Sequence, residues 1–138
     1  MAALLGNWQL ERHENMDEYM KAVGVNIILR KMGLSITSYE EIKQDGDNWE
    51  IHITSTFKNA HLIFKLGEEF DEETMDGRKV KSTIVLEGDK LIHHQTAVKE
   101  DGENSTITRE LEGDTLVITF VALKKNVTAK RFYKRYTK

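Results

Sequence analysis

Turn-forming dipeptides recur from residue 45 to residue 126 and divide this part of the chain into short runs of alternating polarity. A spacing of roughly ten residues between turns is typical of antiparallel strands that follow one another in hairpins. With the run around Trp8, the pattern predicts about ten strands. So many strands without a covering layer of helices must either close into a barrel or stack as a sandwich. The turns are Asp45-Gly46, Gly67-Glu68, Asp76-Gly77, Gly88-Asp89, Asp101-Gly102, Gly113-Asp114 and Lys125-Asn126.

Helical periodicity occurs only between the first and second strands. Asn15 or Asp17 can cap a first helix, which Gly24 ends. A second helix is expected from Val25 to about Gly33, after which the helical signal stops. The helical pair is therefore an insertion into an otherwise all-β chain.

Composition excludes several classes of protein. A chain of 138 residues is expected to form one domain, residues 1–138. The net charge of −3 does not indicate a nucleic-acid partner, and the lack of cysteine excludes disulfides and thiolate chemistry. The apolar run after Met1 is too short for a signal peptide, and no stretch is long enough to cross a bilayer. A cytoplasmic protein is expected, with possible nuclear entry as well.

Two arginines near the C-terminus lie in strand-like runs. Successive side chains of a strand point to opposite faces, so Ala129, Arg131 and Tyr133 share one face. This run alone leaves open whether that face or the Phe132 face points inward. The preceding run is unambiguous, because Arg109 stands in phase with its apolar neighbours and is expected to point inward.

A buried guanidinium needs an anion, since an unpaired buried charge costs several kcal/mol or more. No carboxylate shares the inward phase of the strand of Arg109 or of Arg131. A ligand carboxylate is therefore the expected partner, because it matches arginine in paired hydrogen bonds. If so, Arg109 has no internal partner in the empty protein, and Arg109→Gln should preserve or raise its stability.

Several ordered motifs resemble those of the intracellular lipid-binding proteins, which include the fatty-acid-binding proteins and the cellular retinoic-acid-binding proteins. The resemblance covers essentially the whole chain. It implies a lipocalin-like clam: an up-and-down antiparallel β-barrel of ten strands with a helix-turn-helix lid. It also implies that Arg109, Arg131 and Tyr133 hold a lipid carboxylate inside. The motifs are Gly6-x-Trp8, Glu14-Asn15-Met16-Asp17-Glu18-Tyr19-Met20, Ser55-Thr56-Phe57-Lys58-Asn59, Phe64 to Glu72, Asp76 to Ser82, Thr108-Arg109-Glu110-Leu111 and Arg131-x-Tyr133.

The resemblance implies a monomeric carrier for a long-chain fatty acid or another hydrophobic carboxylate, without a cofactor. Retinoic acid is the alternative, because the stretch from Gly24 to Lys31 resembles the retinoid branch. The short connection from Lys31 to Gln44 favours the fatty-acid branch, and Arg109 disfavours an alcohol such as retinol. A membrane-stacking role is disfavoured by the negative net charge, and no motif indicates an enzyme.

The lid and one hairpin are expected to surround the entrance to the cavity. Lys21, Arg30 and Lys31 are expected to face a membrane or partner and to make transient membrane contact. The acidic run from Glu68 to Asp76 lacks the spacing of a calcium loop and is expected to be a solvated turn. No metal site is expected, because the adjacent His93 and His94 face opposite ways on a strand. The expected portal and cavity residues are Tyr19, Met20, Val25, Ile28, Leu29, Met32 and Phe57.

Overall fold

The computed structural model describes residues 2–137, with two α-helices between the first and second of ten strands. A short 3-10 helix precedes the first strand. In chain order the elements are Ala2–Leu4 (3-10), β1 (Gly6–Glu14), α1 (Met16–Ala22), α2 (Ile27–Ser35), β2 (Ser38–Asp45), β3 (Asn48–Ser55), β4 (Ala60–Lys65), β5 (Phe70–Glu73), β6 (Lys79–Glu87), β7 (Lys90–Ala97), β8 (Ser105–Glu112), β9 (Thr115–Ala122) and β10 (Val127–Arg135).

The ten strands form one antiparallel sheet that curls into a nearly closed barrel. Their spatial order is β4-β3-β2-β1-β10-β9-β8-β7-β6-β5. Every strand pairs with its sequence neighbour except β4 and β5, and the pairing of β1 with β10 joins the two ends of the chain. Within the described residues no ladder connects β4 to β5, so the barrel stays open along that edge. The expected up-and-down barrel is confirmed, and the sandwich alternative is wrong.

One end of the barrel is filled by large apolar side chains. Trp8, Trp49 and Tyr133 are almost completely buried there. The indole Nε1 of Trp8 donates to the carbonyl oxygen of Leu4 at 3.0 Å, which satisfies its only polar atom. Burial of each large apolar side chain contributes about 1.5–3 kcal/mol, so this cluster holds the strands together below the cavity.

The two helices cover the other end of the barrel. α1 packs Tyr19 and Met20 against the small residues Ala122 and Ala129, which let the helix approach the strands closely. Asn15 precedes α1 in the left-handed conformation, with φ of 59°, and its side-chain amide donates to the carbonyl oxygen of Thr128 at 2.9 Å. The lid is therefore anchored to the end of the sheet where β9 and β10 meet.

α2 differs in extent from the expected helix. It begins two residues later than Val25, because the side chain of Asn26 caps it by accepting a hydrogen bond from the Leu29 amide at 3.0 Å. It also continues through Gly33 to Ser35. A Cβ atom at Gly33 would lie 3.1 Å from the Met20 sulfur, so glycine there permits the close contact between α2 and α1. Neither described helix is both long and apolar enough to span a bilayer.

Candidate functional site

Between the lid and the apolar end, the barrel contains a partly open cavity of about 160 Å³. Tyr19, Met20, Val25 and Leu29 line it from the lid, and Phe57 lines it from the turn between β3 and β4. The remaining wall comes from the inward faces of the strands and carries several charged and amide side chains. The cavity is thus apolar towards the lid and polar deeper in the barrel.

Arg131 and Arg109 both lie on this polar wall. Arg131 lines the cavity from β10, and its guanidinium carbon lies 5.7 Å from the ring centroid of Phe120. Phe132 occupies the opposite face, where the Arg12 guanidinium covers its ring at 3.7 Å. The inward orientation expected for Arg131 is therefore the one that the strand adopts.

Arg109 has an internal partner, contrary to expectation. Its Nε donates to Oε1 of Glu40 at 3.0 Å and its Nη2 donates to Oε2 at 3.4 Å. Both residues are only 4% exposed. Burial by itself would lower the pKa of the Arg109 guanidinium, but the Glu40 carboxylate outweighs burial and raises it. The two residues form a buried ion pair.

Glu40 was not predicted as the partner because it lies on β2, whereas the arginines lie on β8 and β10. β2 and β8 are not neighbours in the sheet, and the pair reaches across the barrel interior. A signal was present, since Glu40 stands two residues before the buried Ile42 and hence in the inward phase of its strand.

Several donors beside this pair remain unpaired. The Nη1 of Arg109 and the Nε of Arg131 are buried without a hydrogen-bond partner in the described part of the chain, and the buried hydroxyls of Tyr133 and Ser38 have none there besides each other. Burial raises the pKa of the Tyr133 phenol, which therefore keeps its proton. We call Ser38, Glu40, Arg109, Arg131 and Tyr133 the arginine cluster. Its two guanidinium groups and one carboxylate give it a net charge of +1, so it suits an anion.

A second polar cluster surrounds Glu72. Its Oε1 accepts hydrogen bonds from the Ser82 hydroxyl at 2.7 Å and from Gln95 Nε2 at 3.2 Å, and His93 Nε2 lies 3.0 Å away. Burial lowers the pKa of His93, so the neutral ring donates from Nε2. Burial would raise the pKa of Glu72, but these hydrogen bonds, that of His93 foremost, outweigh it and lower the pKa. We call these four residues the Glu72 cluster.

The Glu72 cluster corrects the expectation that the acidic run is a solvated turn. Phe70 to Glu73 form β5, and alternation along this strand turns Glu72 towards the interior, where its side chain is 11% exposed. The neighbouring Asp71 and Glu73 are exposed, as expected. The inward phase of Phe70, Glu72 and Thr74 was the sequence signal for this arrangement.

Two of the expected cavity residues lie elsewhere. Ile28 is 70% exposed and Met32 is 38% exposed, and neither lines the cavity. They occupy the outer surface of α2, whereas Leu29 occupies the face that turns towards the barrel. Tyr19 lines the cavity and also donates a hydrogen bond from its hydroxyl to the Ser105 hydroxyl at 2.9 Å.

The three basic lid residues also differ in their surroundings. Lys21 and Lys31 are exposed. Arg30 does not face outward as expected, because its Nε donates to Asp17 at 3.0 Å, its Nη1 donates to the Val25 carbonyl at 2.9 Å, and its side chain is only 16% exposed. Arg30 thus ties α2 to α1.

A surface cleft of about 570 Å³ lies beside the lid, between the α1–α2 connection and the turns that precede β6 and β8. The cleft and the inner cavity share several lining residues, which form a thin wall between them. Movement of this wall would join the two spaces. The shared residues are Val23, Val25, Leu29, Asp76 and Arg78.

A nearly closed ten-stranded barrel with a two-helix lid and a polar site inside defines a β-barrel carrier of the lipocalin type. Comparison of the sequence gives the family: the chain belongs to the Lipocalin / cytosolic fatty-acid binding protein family, whose sequence model matches residues 5–138. Proteins of this family are lipid carriers and not enzymes.

Individual relatives agree with this assignment. The chain is 47% identical to fatty acid-binding protein homolog 6 of Caenorhabditis elegans over 95% of this chain and 96% of that protein. It is 41% identical to human cellular retinoic acid-binding protein 1 over 98% of this chain and 99% of that protein. A solved structure of a Schistosoma mansoni fatty acid binding protein in complex with arachidonic acid is 38% identical, with a TM-score of 0.91, over 99% of this chain and 98% of that chain.

Proposed function

We propose that this protein is a monomeric cytosolic carrier of long-chain fatty acids that binds the fatty-acid carboxylate in the arginine cluster. The observation that carries the proposal is the pair of unpaired buried donors on Arg109 and Arg131, with the Tyr133 hydroxyl beside them. A buried donor without a partner costs about 1–3 kcal/mol, and a carboxylate can accept from several donors at once. Binding of a carboxylate would remove this cost.

Charge supports an acid over an alcohol or ester. The arginine cluster carries a net charge of +1, which a single carboxylate neutralises. Because Glu40 already engages two nitrogens of Arg109, the carboxylate is expected to bind chiefly to Arg131 and Tyr133, with Nη1 of Arg109 as a third donor. This arrangement differs from a clamp in which both arginines are free for the ligand.

Retinoic acid is the second candidate ligand. It carries the same carboxylate, and the chain is 41% identical to human cellular retinoic acid-binding protein 1. Drug-sized ligands occupy pockets of about 300–1,000 Å³, whereas the inner cavity has a volume of about 160 Å³, which is too small for either ligand. The cavity must therefore expand, and a flexible chain can adapt to a partial expansion better than a rigid polyene can.

Entry requires the wall between the surface cleft and the cavity to move. The wall consists of lid residues on one side and the ion pair of Arg78 with Asp76, at 2.7 Å, on the other. Movement of the lid at a membrane surface would open this route, and the exposed Lys21 and Lys31 would favour contact with anionic lipid.

The decisive experiment measures the affinity for a long-chain fatty acid, its methyl ester and the matching alcohol by calorimetry. We expect the acid to bind most tightly. Arg131→Gln and Tyr133→Phe should each weaken binding of the acid by about 1.5–3 kcal/mol and change binding of the ester much less. Arg12→Gln is the matched control, because Arg12 lies outside the barrel over Phe132. Equal losses for acid and ester would exclude the arginine cluster as the carboxylate site.

A further inference from the structure

Two histidines and a glutamate meet on the outer surface of the barrel, away from the cavity. Glu50 and His52 alternate on β3 and therefore share a face, and His61 lies directly opposite His52 on β4. The two imidazole rings stack with their centroids 3.7 Å apart and an interplanar angle of 22°. Cross-strand pairing thus places the three side chains next to one another, and the stacked rings would turn towards a shared ion to bind it.

The donor atoms of these residues are spaced for one metal ion. His61 Nε2 lies 2.9 Å from Glu50 Oε1, and His52 Nε2 lies 3.7 Å from the same oxygen. One possible ligand atom from each residue lies within 4.8 Å of the other two. With Zn–N bonds of about 2.0–2.1 Å, two ligands of a tetrahedral zinc ion are roughly 3.4 Å apart. The measured separations bracket that value.

We propose that Glu50, His52 and His61 form a binding site for a late first-row divalent metal ion such as Zn²⁺. Two imidazoles and a carboxylate are ligands that Zn²⁺ and Cu²⁺ accept, and a site with three protein ligands leaves a coordination position for water. The expectation of no metal site was based on the adjacent His93 and His94, whereas pairing of β3 with β4 brings His52 and His61 together.

The surroundings set how tightly the site binds. The side chains of Glu50 and His52 are about one-third exposed, and that of His61 is 42% exposed, so a hydrated ion can reach all three. Lys43 lies opposite Glu50 on β2 and repels a cation, whereas Glu41 lies opposite His52 and attracts one.

Metal binding would join β4 to β3 at the open edge of the barrel. β4 is the last strand of the sheet and has no ladder to β5 among the described residues. The β3–β4 hairpin also carries Phe57, which lines the cavity. A bound ion would add a cross-link between these two strands without entering the cavity.

The test is a calorimetric titration of the full chain with Zn²⁺, together with NMR amide shifts. We expect one Zn²⁺ per chain and shifts confined to β3, β4 and the facing part of β2. His61→Asn and Glu50→Gln should each weaken binding at least tenfold, because loss of an orienting group alone costs about 10–100-fold. Lys43→Gln should strengthen binding.

His94→Asn is the matched control, since His94 is an exposed strand histidine outside the trio. It should leave the affinity unchanged. Thermal unfolding without metal verifies that each variant is folded, and Glu50→Gln gives a second test should His61→Asn fail to fold. The proposal is overturned if Zn²⁺ fails to bind, if His61→Asn and Glu50→Gln bind it normally, or if His94→Asn weakens binding as much as they do.

Discussion

The arginine cluster and the Glu72 cluster are both buried polar groups inside one barrel, but they differ in how completely they are hydrogen bonded. Oε1 of Glu72 has three hydrogen-bond partners, supplied by β6 and β7. In the arginine cluster, Arg109 is paired with Glu40, whereas its Nη1 and the Nε of Arg131 have no partner in the described chain. The Glu72 cluster is nearly self-sufficient, and the arginine cluster is incomplete.

This difference separates structural polar groups from ligand-binding ones. The atoms left over in the arginine cluster are donors, whereas those left over in the Glu72 cluster are His93 Nδ1 and Gln95 Oε1, both of which are acceptors when His93 is neutral. An anionic ligand group can complete only the arginine cluster. Glu72 adds a negative charge to the cavity wall and disfavours an anion at its own position.

The largest expected effect concerns the ion pair within the arginine cluster. Arg109→Gln leaves Glu40 buried without its cation, and loss of one member of a buried pair costs about 3–5 kcal/mol. The empty variant should therefore be clearly less stable in urea unfolding, contrary to the expectation from the sequence that it would be at least as stable. An unchanged stability would mean that Glu40 is solvated or protonated once Arg109 is gone.

Glu40→Gln probes the same pair from the other side and serves as its control. It leaves Arg109 without an anion, so the empty protein loses stability and the fatty-acid carboxylate gains a free guanidinium. We expect addition of fatty acid to raise the unfolding midpoint of Glu40→Gln more than that of the wild type. The double variant Glu40→Gln/Arg109→Gln should be more stable than either single variant, since neither charge is then left alone.

Glu72→Gln should lower the stability of the protein but leave its preference for the acid unchanged. The expected loss of unfolding free energy is about 1–3 kcal/mol. It weakens the hydrogen bonds from Ser82, His93 and Gln95, so the variant loses stability in urea. The ratio of affinities for fatty acid and methyl ester should stay near that of the wild type, because the carboxylate is bound elsewhere. A marked change in that ratio would place the ligand headgroup at the Glu72 cluster and reverse the comparison.

Acid should affect the Glu72 cluster in two steps. The pKa of His93 in the folded protein is below its ordinary value of 6.5, so the unfolded chain takes up a proton first and stability falls as the pH drops below about 6.5. Glu72 has a folded pKa below 4.5, so its contribution is lost as the pH falls below about 4.5. Each pKa unit corresponds to about 1.4 kcal/mol.

His93→Gln keeps a donor for Glu72 and removes the first step. Urea unfolding across pH 4–8 should show that the stability of the wild type relative to this variant declines below about pH 6.5. A pH-independent difference between the two proteins would show that His93 titrates alike in the folded and unfolded states.

The two clusters also show which features of the structure can be predicted from the sequence alone. Recurrent turns and alternating runs predict the strands, because each hairpin is formed by residues that are close together in the sequence. Alternation along a single strand placed Arg109 inward, but it could not reveal Glu40, whose contact with Arg109 depends on how the sheet closes. A run of acidic residues is typical of a solvated surface, and this composition masks the inward phase of Glu72. Contacts across the barrel require the register of the whole sheet, which local patterns do not contain.

The smallest effect on equilibrium binding is expected from substitutions in the lid. Its exposed lysines belong to neither the arginine cluster nor the Glu72 cluster. Lys21→Glu/Lys31→Glu should leave the affinity for fatty acid nearly unchanged and slow transfer to anionic vesicles in a stopped-flow assay. Each lysine near an anionic surface contributes about 1 kcal/mol, and the attraction weakens as salt rises. Wild-type transfer should therefore be faster to anionic than to neutral vesicles and should slow with salt.

Arg30→Glu is the informative contrast, because Arg30 binds Asp17 and the Val25 carbonyl and its loss should also loosen the lid. Transfer rates that ignore vesicle charge, vesicle concentration and these substitutions would mean that the lipid leaves through water and that the lysines are ordinary surface residues.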